Sequence, residues 1–299
     1  MGNQNTFTIS LDKQEQSRVR DVLLANNWGE EVDGNQYVSY RLRSPEGSIA
    51  ILYSSGKLVF QGKEDLTSVI ANIKEEVEES TVEFVPHIGV DEVGKGDYFG
   101  PLVVASCFVN EEFLKKVKLL GFGDSKRFTD FKILEFFKKV KDYPYYYSSV
   151  VTPQEYNRQA LEYGNVSILL AKQHSLVIEK ALSDLQSKGI ECKHVVIDQF
   201  SSSKNRVIDE LGELGSKIEL EQYHKGESDI AVASASIIAR GIFLEEWGKM
   251  NSKYGLQFPK GASNVIQFGR DFISEYGQEE LKSVAKVGFK TTKDILKLF

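Results

Sequence analysis

Two adjacent carboxylates, Asp91 and Glu92, follow an apolar stretch and precede a glycine-rich turn that carries Lys95. Carboxylate oxygens suit Mg²⁺, because this hard cation prefers oxygen ligands and keeps part of its water shell for a phosphate substrate. Gly94 and Gly96 permit positive φ and close backbone approach, so the N–H groups of the turn can face a nucleic-acid backbone. The pattern of a P-loop is absent. We therefore predict a metal and phosphate site here, against the alternative of a charged hairpin whose glycines only turn the chain.

Two further acidic positions fit the same chemistry. Asp198 ends a short apolar stretch. In open α/β sheets functional groups gather at strand ends, so Asp198 can meet Asp91 if their strands are neighbours; otherwise it caps the following turn. Glu227 and Asp229 precede a helix rich in small residues over 231–240, and small side chains let that helix press close to the sheet and bring its N-terminus to the strand ends. The default role of Asp229 is a helix cap.

The neighbouring positions of Asp91 and Glu92 raise a geometric difficulty. Successive residues of a regular strand point to opposite faces. A twist or bulge at the strand end, or a metal reached from the side, must resolve this. A long amphipathic helix over 166–187 includes His174, which we interpret as a surface or core histidine and not as a metal ligand.

The elements that must position these residues fall into two groups. Strand patterns near residues 88, 102, 145, 194 and 218, with helices between and after them, predict a mixed five-stranded α/β sheet in the second part of the chain. The first part shows strand patterns over 6–11, 36–42, 48–54 and 57–61, and helical patterns over 13–26 and 64–79. Asp12 is the candidate cap of the first helix. This order predicts a small sheet with helices on one face.

The uncovered face of that small sheet carries groups suited to nucleic acid. Polar and apolar residues alternate over 36–42. If the apolar ones meet the helices, then Tyr37, Ser39 and Arg41 face outward and Lys57 joins them from another strand. Aromatic, hydroxyl and basic groups on such a face can lie against a sugar-phosphate backbone. The alternative is an ordinary solvated sheet face.

Composition fits a soluble protein with room for two domains in 299 residues. The net charge of −6 lies in the segment 64–83, which holds seven acidic residues and one lysine, so the rest of the chain is neutral by count. A neutral remainder can still gather lysines on one face. No apolar run approaches the ~18 residues of a membrane span. Cys107 and Cys192 lack metal-ligand spacing, so we expect free thiols in a reducing cytoplasm, and we expect a monomer.

The string Asp91-Glu-Val-Gly-Lys-Gly-Asp-Tyr-Phe-Gly-Pro101 resembles the signature of the type 2 ribonuclease H group. Ribonuclease HII enzymes carry arginine at the position of Lys95, and the lysine found here resembles the ribonuclease HIII form of the signature. The resemblance implies a catalytic domain over 81–299 with a ribonuclease H-like mixed five-stranded sheet and flanking helices. It also implies that residues 1–80 form a small α+β domain resembling half of the TATA-binding protein, which holds the substrate. We refer to residues 94–101 as the signature turn.

The same resemblance implies roles for the acids. The family places its third catalytic acid at the match to Ile-Asp-Gln-Phe, which is Asp198, and its fourth in Lys-Ala-[Asp/Glu]. Here Lys225-Gly226-Glu227 matches, with glycine in place of alanine, and Asp229 remains the alternative. The implied catalytic residues and metal ligands are Asp91, Glu92, Asp198 and Glu227.

The implied activity is endonucleolytic cleavage of the RNA strand in an RNA/DNA hybrid, leaving 5′-phosphate and 3′-hydroxyl ends. Two Mg²⁺ ions would serve as cofactors, with Mn²⁺ as a possible substitute. The backbone of the signature turn is the candidate reader of the 2′-hydroxyl, and Tyr98 either lies beside it or packs in the core. The implied substrate contacts in the catalytic domain are Gly94, Lys95, Gly96, Tyr98, Ser125 and Lys126.

Two rival interpretations remain open. A ribonuclease HII would cut at single embedded ribonucleotides, but the N-terminal domain and Lys95 disfavour it. A metal-dependent nucleic-acid adaptor without catalysis belongs to another functional class, and the retention of all four acids disfavours that one.

Overall fold

The computed structural model describes residues 5–62, 66, 69–70, 73, 84–123, 125–200, 205–223 and 226–297. The chain divides into two compact units, residues 1–84 and 85–299. No helix within the described ranges is long and apolar enough to span a bilayer. Cys107 and Cys192 are free thiols, as predicted.

The first unit contains an antiparallel five-stranded sheet in the order β1-β5-β4-β3-β2. The predicted strands and first helix are present, whereas the short β2 was not predicted, since three residues carry no periodic pattern. Most of the helix expected over 64–79 lies outside the described residues; positions 69–70 and 73 are helical. The elements are β1 Asn5–Ser10, α1 Lys13–Ala25, β2 Gly29–Glu31, β3 Val38–Arg43, β4 Ile49–Tyr53 and β5 Lys57–Gly62.

Alternation along β3 and β5 separates an apolar face from an open one. Leu42, Leu58 and Phe60 are fully buried and pack in the core of this unit. The intervening Ser39 and Lys57 are exposed. At the start of α1, the Asp12 carboxylate accepts from Glu15 N at 2.8 Å and the Glu15 carboxylate accepts from Asp12 N at 2.7 Å, so the predicted cap is a reciprocal pair.

The second unit is built on a mixed five-stranded sheet in the order β10-β9-β6-β7-β8. β7 pairs antiparallel with both β6 and β8, while β6, β9 and β10 run parallel. The predicted fold class is therefore confirmed. The strands are β6 His87–Val93, β7 Leu102–Val109, β8 Tyr146–Val151, β9 His194–Asp198 and β10 Glu219–Tyr223.

Helices cover both faces of this sheet. On one face α5 packs against β6, where Val177 and Ile178 share a core with Val90. On the other face α7 approaches so closely that a Cβ on Gly89 would lie 2.0 Å from the Ala231 backbone. The predicted close packing of the small-residue helix is confirmed. The helices are α2 Glu111–Leu120, α3 Asp130–Val140, α4 Pro153–Tyr163, α5 Val166–Ser187, α6 Asn205–Ile208, α7 Ile230–Tyr254, α8 Ile266–Tyr276, α9 Gln278–Val284 and α10 Lys290–Leu296.

Candidate active site

Parallel pairing brings two of the predicted acids together. Val90 of β6 lies opposite Ile197 of β9, so Asp91 and Asp198 occupy the next positions at adjacent carboxyl ends. Together with Glu92 they line an open cavity of about 420 Å³. The other lining residues are Val93, Lys95, Ser125, Lys126, Ser236 and Arg240.

Asp91 and Glu92 point to opposite faces of β6, as a regular strand requires. The Asp91 carboxylate accepts a hydrogen bond from Ser236 on α7 and from Glu92 N at 2.7 Å. The Glu92 carboxylate lies 3.1 Å from His174 Nε2 on α5. Both acids nevertheless line the cavity, because it opens at the strand end and both faces border it. No bulge is needed to bring them to one site.

The pKa values of Asp91 and Glu92 are shifted in opposite directions because their surroundings differ. Burial, the charge of Glu92 and the charge of Asp198 raise the pKa of Asp91 to about 8. Burial also acts to raise the pKa of Glu92, but hydrogen bonds and charge from His174 and Lys95 outweigh it, and this pKa is lowered. Like charges this close disfavour simultaneous ionisation of Asp91, Glu92 and Asp198. The site is therefore electrostatically suited to a cation.

His174 is a site residue whose contact the sequence reasoning missed. Its side chain has no exposed surface, in agreement with a core histidine, yet Nε2 contacts Glu92 and the ring lies 4.7 Å from that of Phe200. Within the described part of the chain, Nδ1 has no hydrogen-bond partner. The signal that could have found it is a polar residue on the buried stripe of α5, between Leu170 and Val177.

The structure describes the two candidates for the fourth acid, Glu227 and Asp229, to different extents. Asp229 caps α7, with Oδ1 accepting from the amides of Ala231 and Val232 at 2.9 Å, and its Oδ2 lies 2.9 Å from His87 Nε2. The predicted capping role is confirmed: Oδ1 caps the helix, while Oδ2 contacts His87. Glu227 lies in a short 3₁₀ turn, Gly226–Ser228, and its side chain is outside the described residues. Its role as fourth ligand stays a prediction.

The glycine that replaces the alanine expected before Glu227 has a structural reason. Gly226 N donates to Asp198 Oδ1 at 2.9 Å. A Cβ on Gly226 would stand 2.9 Å from Asp198 Cα. This close contact couples the turn before α7 to the carboxylate at the end of β9.

The donor set fits a hard divalent cation. All three described acids of the cavity offer carboxylate oxygens, and burial together with the charges of Glu92 and Asp198 raises the pKa of Asp91. Among the side chains that the structure describes, no group of three or more histidine, cysteine or acidic residues is arranged to hold a metal ion. Glu227 lies outside that set, and the two Glu92 oxygens contact His174 and Lys95. A carboxylate has about four lone-pair sites, so these contacts leave Glu92 able to bind a cation.

The predicted substrate contacts in the signature turn differ in their exposure. Gly94 has φ 91°, and a Cβ there would lie 2.2 Å from Pro101 O, so this position requires glycine. Lys95 keeps 48% of its side chain exposed while Nζ donates to Glu92 at 2.7 Å. Tyr98 is fully buried, with its hydroxyl 3.1 Å from Thr292 Oγ1. The structure therefore supports the core alternative for Tyr98 and corrects its assignment as a substrate contact.

The remaining contacts predicted for the catalytic unit border the acids. Ser125 is buried and its hydroxyl lies 2.7 Å from that of Ser236, which also bonds Asp91. Lys126 is exposed at the cavity. Arg240, which the sequence reasoning did not single out, lines the cavity and donates to Ser125 O and Asp130.

The contacts predicted for the first unit lie on its open face or beside it. Tyr37 is 62% exposed, and Ser39 and Lys57 are exposed. Arg41 is half-buried and forms ion pairs with Glu31 at 3.0 Å and Asp33 at 3.2 Å. The charge of Arg41 is thus partly neutralised by these two acids, which weakens the attraction that Arg41 can exert on a phosphate.

Known proteins resemble this chain over nearly its whole length. The ribonuclease HII family model matches residues 88–292. Ribonuclease HIII of Protochlamydia amoebophila is 35% identical over 262 residues, 85% of each chain, and that of Chlamydia pneumoniae is 32% identical over 297 residues, 97% of each. The crystal structure of Bst-RNase HIII in complex with Mn²⁺ superposes with a TM-score of 0.69 at 27% identity, covering 98% of this chain and 99% of that one. With its acids gathered at the sheet edge and relatives of this length and identity, the chain belongs to the ribonuclease HII family, among the ribonuclease HIII endoribonucleases.

Proposed function

We propose that this protein cleaves the RNA strand of RNA/DNA hybrids internally and leaves 5′-phosphate and 3′-hydroxyl ends. The observation that carries the proposal is the convergence of Asp91, Glu92 and Asp198 from two neighbouring strands on one open cavity beside a lysine-bearing turn. Kinship with ribonuclease HIII enzymes supports the substrate class.

We further propose Mg²⁺ as the cofactor, with two ions per site and Mn²⁺ as a substitute. The relative crystallised in complex with Mn²⁺ supports a divalent ion. Asp91, Glu92, Asp198 and Glu227 are the residues that would hold the ions. When bound, such ions activate a water molecule and stabilise the negative charge that develops on the phosphate and the leaving oxygen.

The chain itself orients these carboxylates before substrate arrives. His174 holds one oxygen of Glu92 and Lys95 holds the other, at 3.1 Å and 2.7 Å. The Gly226 amide holds one oxygen of Asp198. Fixed donors of this kind reduce the reorganisation needed during the reaction.

Substrate is held by groups around the acids. Lys95 and Lys126 stand at the cavity and are exposed, so they can contact phosphates on either side of the reacting one. The backbone of the signature turn at Gly94 and Gly96 meets the sugar edge, where the 2′-hydroxyl distinguishes RNA from DNA. Tyr37, Ser39 and Lys57 of the first unit supply further backbone contacts.

The deciding experiment is hydrolysis of an end-labelled RNA/DNA hybrid in Mg²⁺. We expect internal cuts in the RNA strand, abolished by Asp91→Asn and unaffected by Asp209→Asn, which alters an exposed acid on the same unit. Binding without hydrolysis by the unmodified protein would instead favour the adaptor function.

A second substrate separates ribonuclease HIII from ribonuclease HII activity. We expect poor cleavage of duplex DNA that contains one ribonucleotide, compared with a continuous hybrid of the same sequence. Efficient cutting at the single ribonucleotide would overturn the proposed substrate preference.

A further inference from the structure

Lys286 is a lysine with no exposed surface, in the segment between α9 and α10. Its Nζ donates to three main-chain carbonyls of the signature turn: Gly100 O at 2.7 Å, Asp97 O at 2.9 Å and, more weakly, Phe99 O at 3.4 Å. Lysine is rarely buried completely, because an ammonium group loses its hydration there. An ammonium has three N–H donors and no acceptor, so three converging carbonyls match its charged form.

The backbone around Lys286 is fixed to the body of the catalytic unit. Asn157 of α4 donates to Ala285 O at 2.9 Å and accepts from Val287 N at 2.9 Å. One side chain thus holds the peptide groups on both sides of Lys286. The ammonium group therefore extends from a fixed base.

The same segment pairs with the signature turn through main-chain bonds. Lys286 N donates to Tyr98 O and Gly100 N donates to Val284 O, both at 2.8 Å. Asp97 N donates to Gly94 O at 3.2 Å and so joins the clamped half of the turn to its glycine half. Displacement of the Asp97 carbonyl would be transmitted to Gly94, which lies between the cavity-lining residues Val93 and Lys95.

The cost of burying its charge indicates that Lys286 positions the signature turn and does not primarily stabilise the fold. Burial lowers the pKa of Lys286 to about 7, and the charge of Asp97 opposes that effect. An apolar side chain of similar length would fill the same space with no charge to desolvate. What the lysine adds is a fixed position for three carbonyls that no apolar group can hold.

We propose that Lys286 is a positioning residue that fixes the signature turn and thereby sets the preference of the site for RNA/DNA hybrid over DNA duplex. The inference rests on the proposed function of that turn. Lys286 itself touches no substrate. Reading a 2′-hydroxyl requires backbone donors placed to within about 0.5 Å, whereas phosphate attraction by exposed lysines tolerates movement.

The test compares Lys286→Met with Lys282→Met, which removes an exposed lysine of α9. Both are made in an Asp91→Asn background, so that affinity can be measured in Mg²⁺ without cleavage. Fluorescence anisotropy then gives the affinity for a labelled RNA/DNA hybrid and for the DNA duplex of the same sequence. We expect Lys286→Met to weaken hybrid binding about tenfold to a hundredfold and to leave duplex binding unchanged. Lys282→Met should alter neither.

Lys286→Gln provides a second variant, since its amide keeps two donors and should give an intermediate loss of hybrid preference. If Lys286→Met retains the hybrid preference of its parent, the inference is wrong. If both variants are unfolded by circular dichroism, it is also wrong, because the lysine would then support the whole unit. If the parent binds hybrid and duplex equally, or the unmodified protein cuts no hybrid, the proposed function fails instead.

Discussion

Replacing Asp91 by asparagine should stabilise the metal-free protein while it abolishes cleavage. Burial and the charges of Glu92 and Asp198 raise the pKa of Asp91 to about 8. In the unfolded chain an aspartate releases its proton near pH 4. Near neutral pH, folding must therefore return a proton to Asp91 or bury its charge. Asparagine has nearly the same shape and avoids that penalty.

The sign and size of the expected change in the free energy of unfolding follow from the pKa of Asp91 in the folded and in the unfolded chain. A pKa raised by folding makes the contribution of Asp91 most favourable below about pH 4, and that contribution is lost as pH rises towards about 8. Each pH unit in this window lowers the contribution of Asp91 to the free energy of unfolding by about 1.4 kcal/mol. Asp91→Asn should therefore raise the free energy of unfolding by about 1.5 kcal/mol at pH 5 and by up to about 4 kcal/mol at pH 7.

Urea unfolding in EDTA at pH 5, 6 and 7 measures this difference. Trp247 lies buried in the catalytic unit, so its fluorescence in a Trp28→Phe background reports that unit alone. Asp209→Asn is the matched control and should change stability little at any of these pH values. An Asp91→Asn variant no more stable than the unmodified protein at pH 7, or an advantage that does not grow with pH, would refute the argument from burial and charge repulsion.

Mg²⁺ should narrow the difference at pH 7, because an ion that binds only the folded state at about 100 times its Kd adds about 2.7 kcal/mol to the free energy of unfolding of the unmodified protein, less than the advantage of about 4 kcal/mol expected for Asp91→Asn. His174→Gln should weaken Mn²⁺ binding by calorimetry about tenfold or more, since Glu92 loses its orientation, whereas His194→Gln should not. Gly226→Ala should lower stability by about 1–3 kcal/mol, because its Cβ meets Asp198 Cα. Deleting residues 1–80 should weaken hybrid binding and spare the chemistry.

The histidine, glycine and deletion predictions each have a contradicting outcome. Equal Mn²⁺ affinity for His174→Gln and its parent would remove the orienting role of that histidine. A Gly226→Ala protein as stable and active as the unmodified protein would show that the turn before α7 can shift to accommodate a Cβ without cost. Unchanged hybrid affinity after the deletion would refute the substrate-binding role of the first unit.

The meeting of Asp91 with Asp198 was predictable from the sequence on the condition that their strands are neighbours, because each follows an apolar stretch. Strand ends meet along one edge when strands run parallel, and that rule needs no knowledge of side-chain packing. The capping role of Asp229 was equally local, since it depends only on a carboxylate immediately before a helix.

Other features depended on which surface a distant helix covers. His174 matters because α5 lies on the face of β6 to which Glu92 points, and helix periodicity alone does not name the strand that a helix meets. Tyr98 and Lys95 share one short turn, yet the first is buried and the second exposed. Their difference comes from the segment before α10, which covers one side of the turn.

The sequence by itself determined the chemistry available to this protein: apolar strands that end in acids, and a glycine-rich turn that carries a lysine. These depend on residue type and near neighbours along the chain. Only the tertiary structure decided the state of those groups, with the pKa of Asp91 raised by burial and nearby charge, Glu92 held by a histidine 82 residues away and the turn clamped by a lysine 186 residues beyond Gly100. The reason is physical, because burial, charge repulsion and hydrogen bonding act through distances in space that the order of residues does not contain.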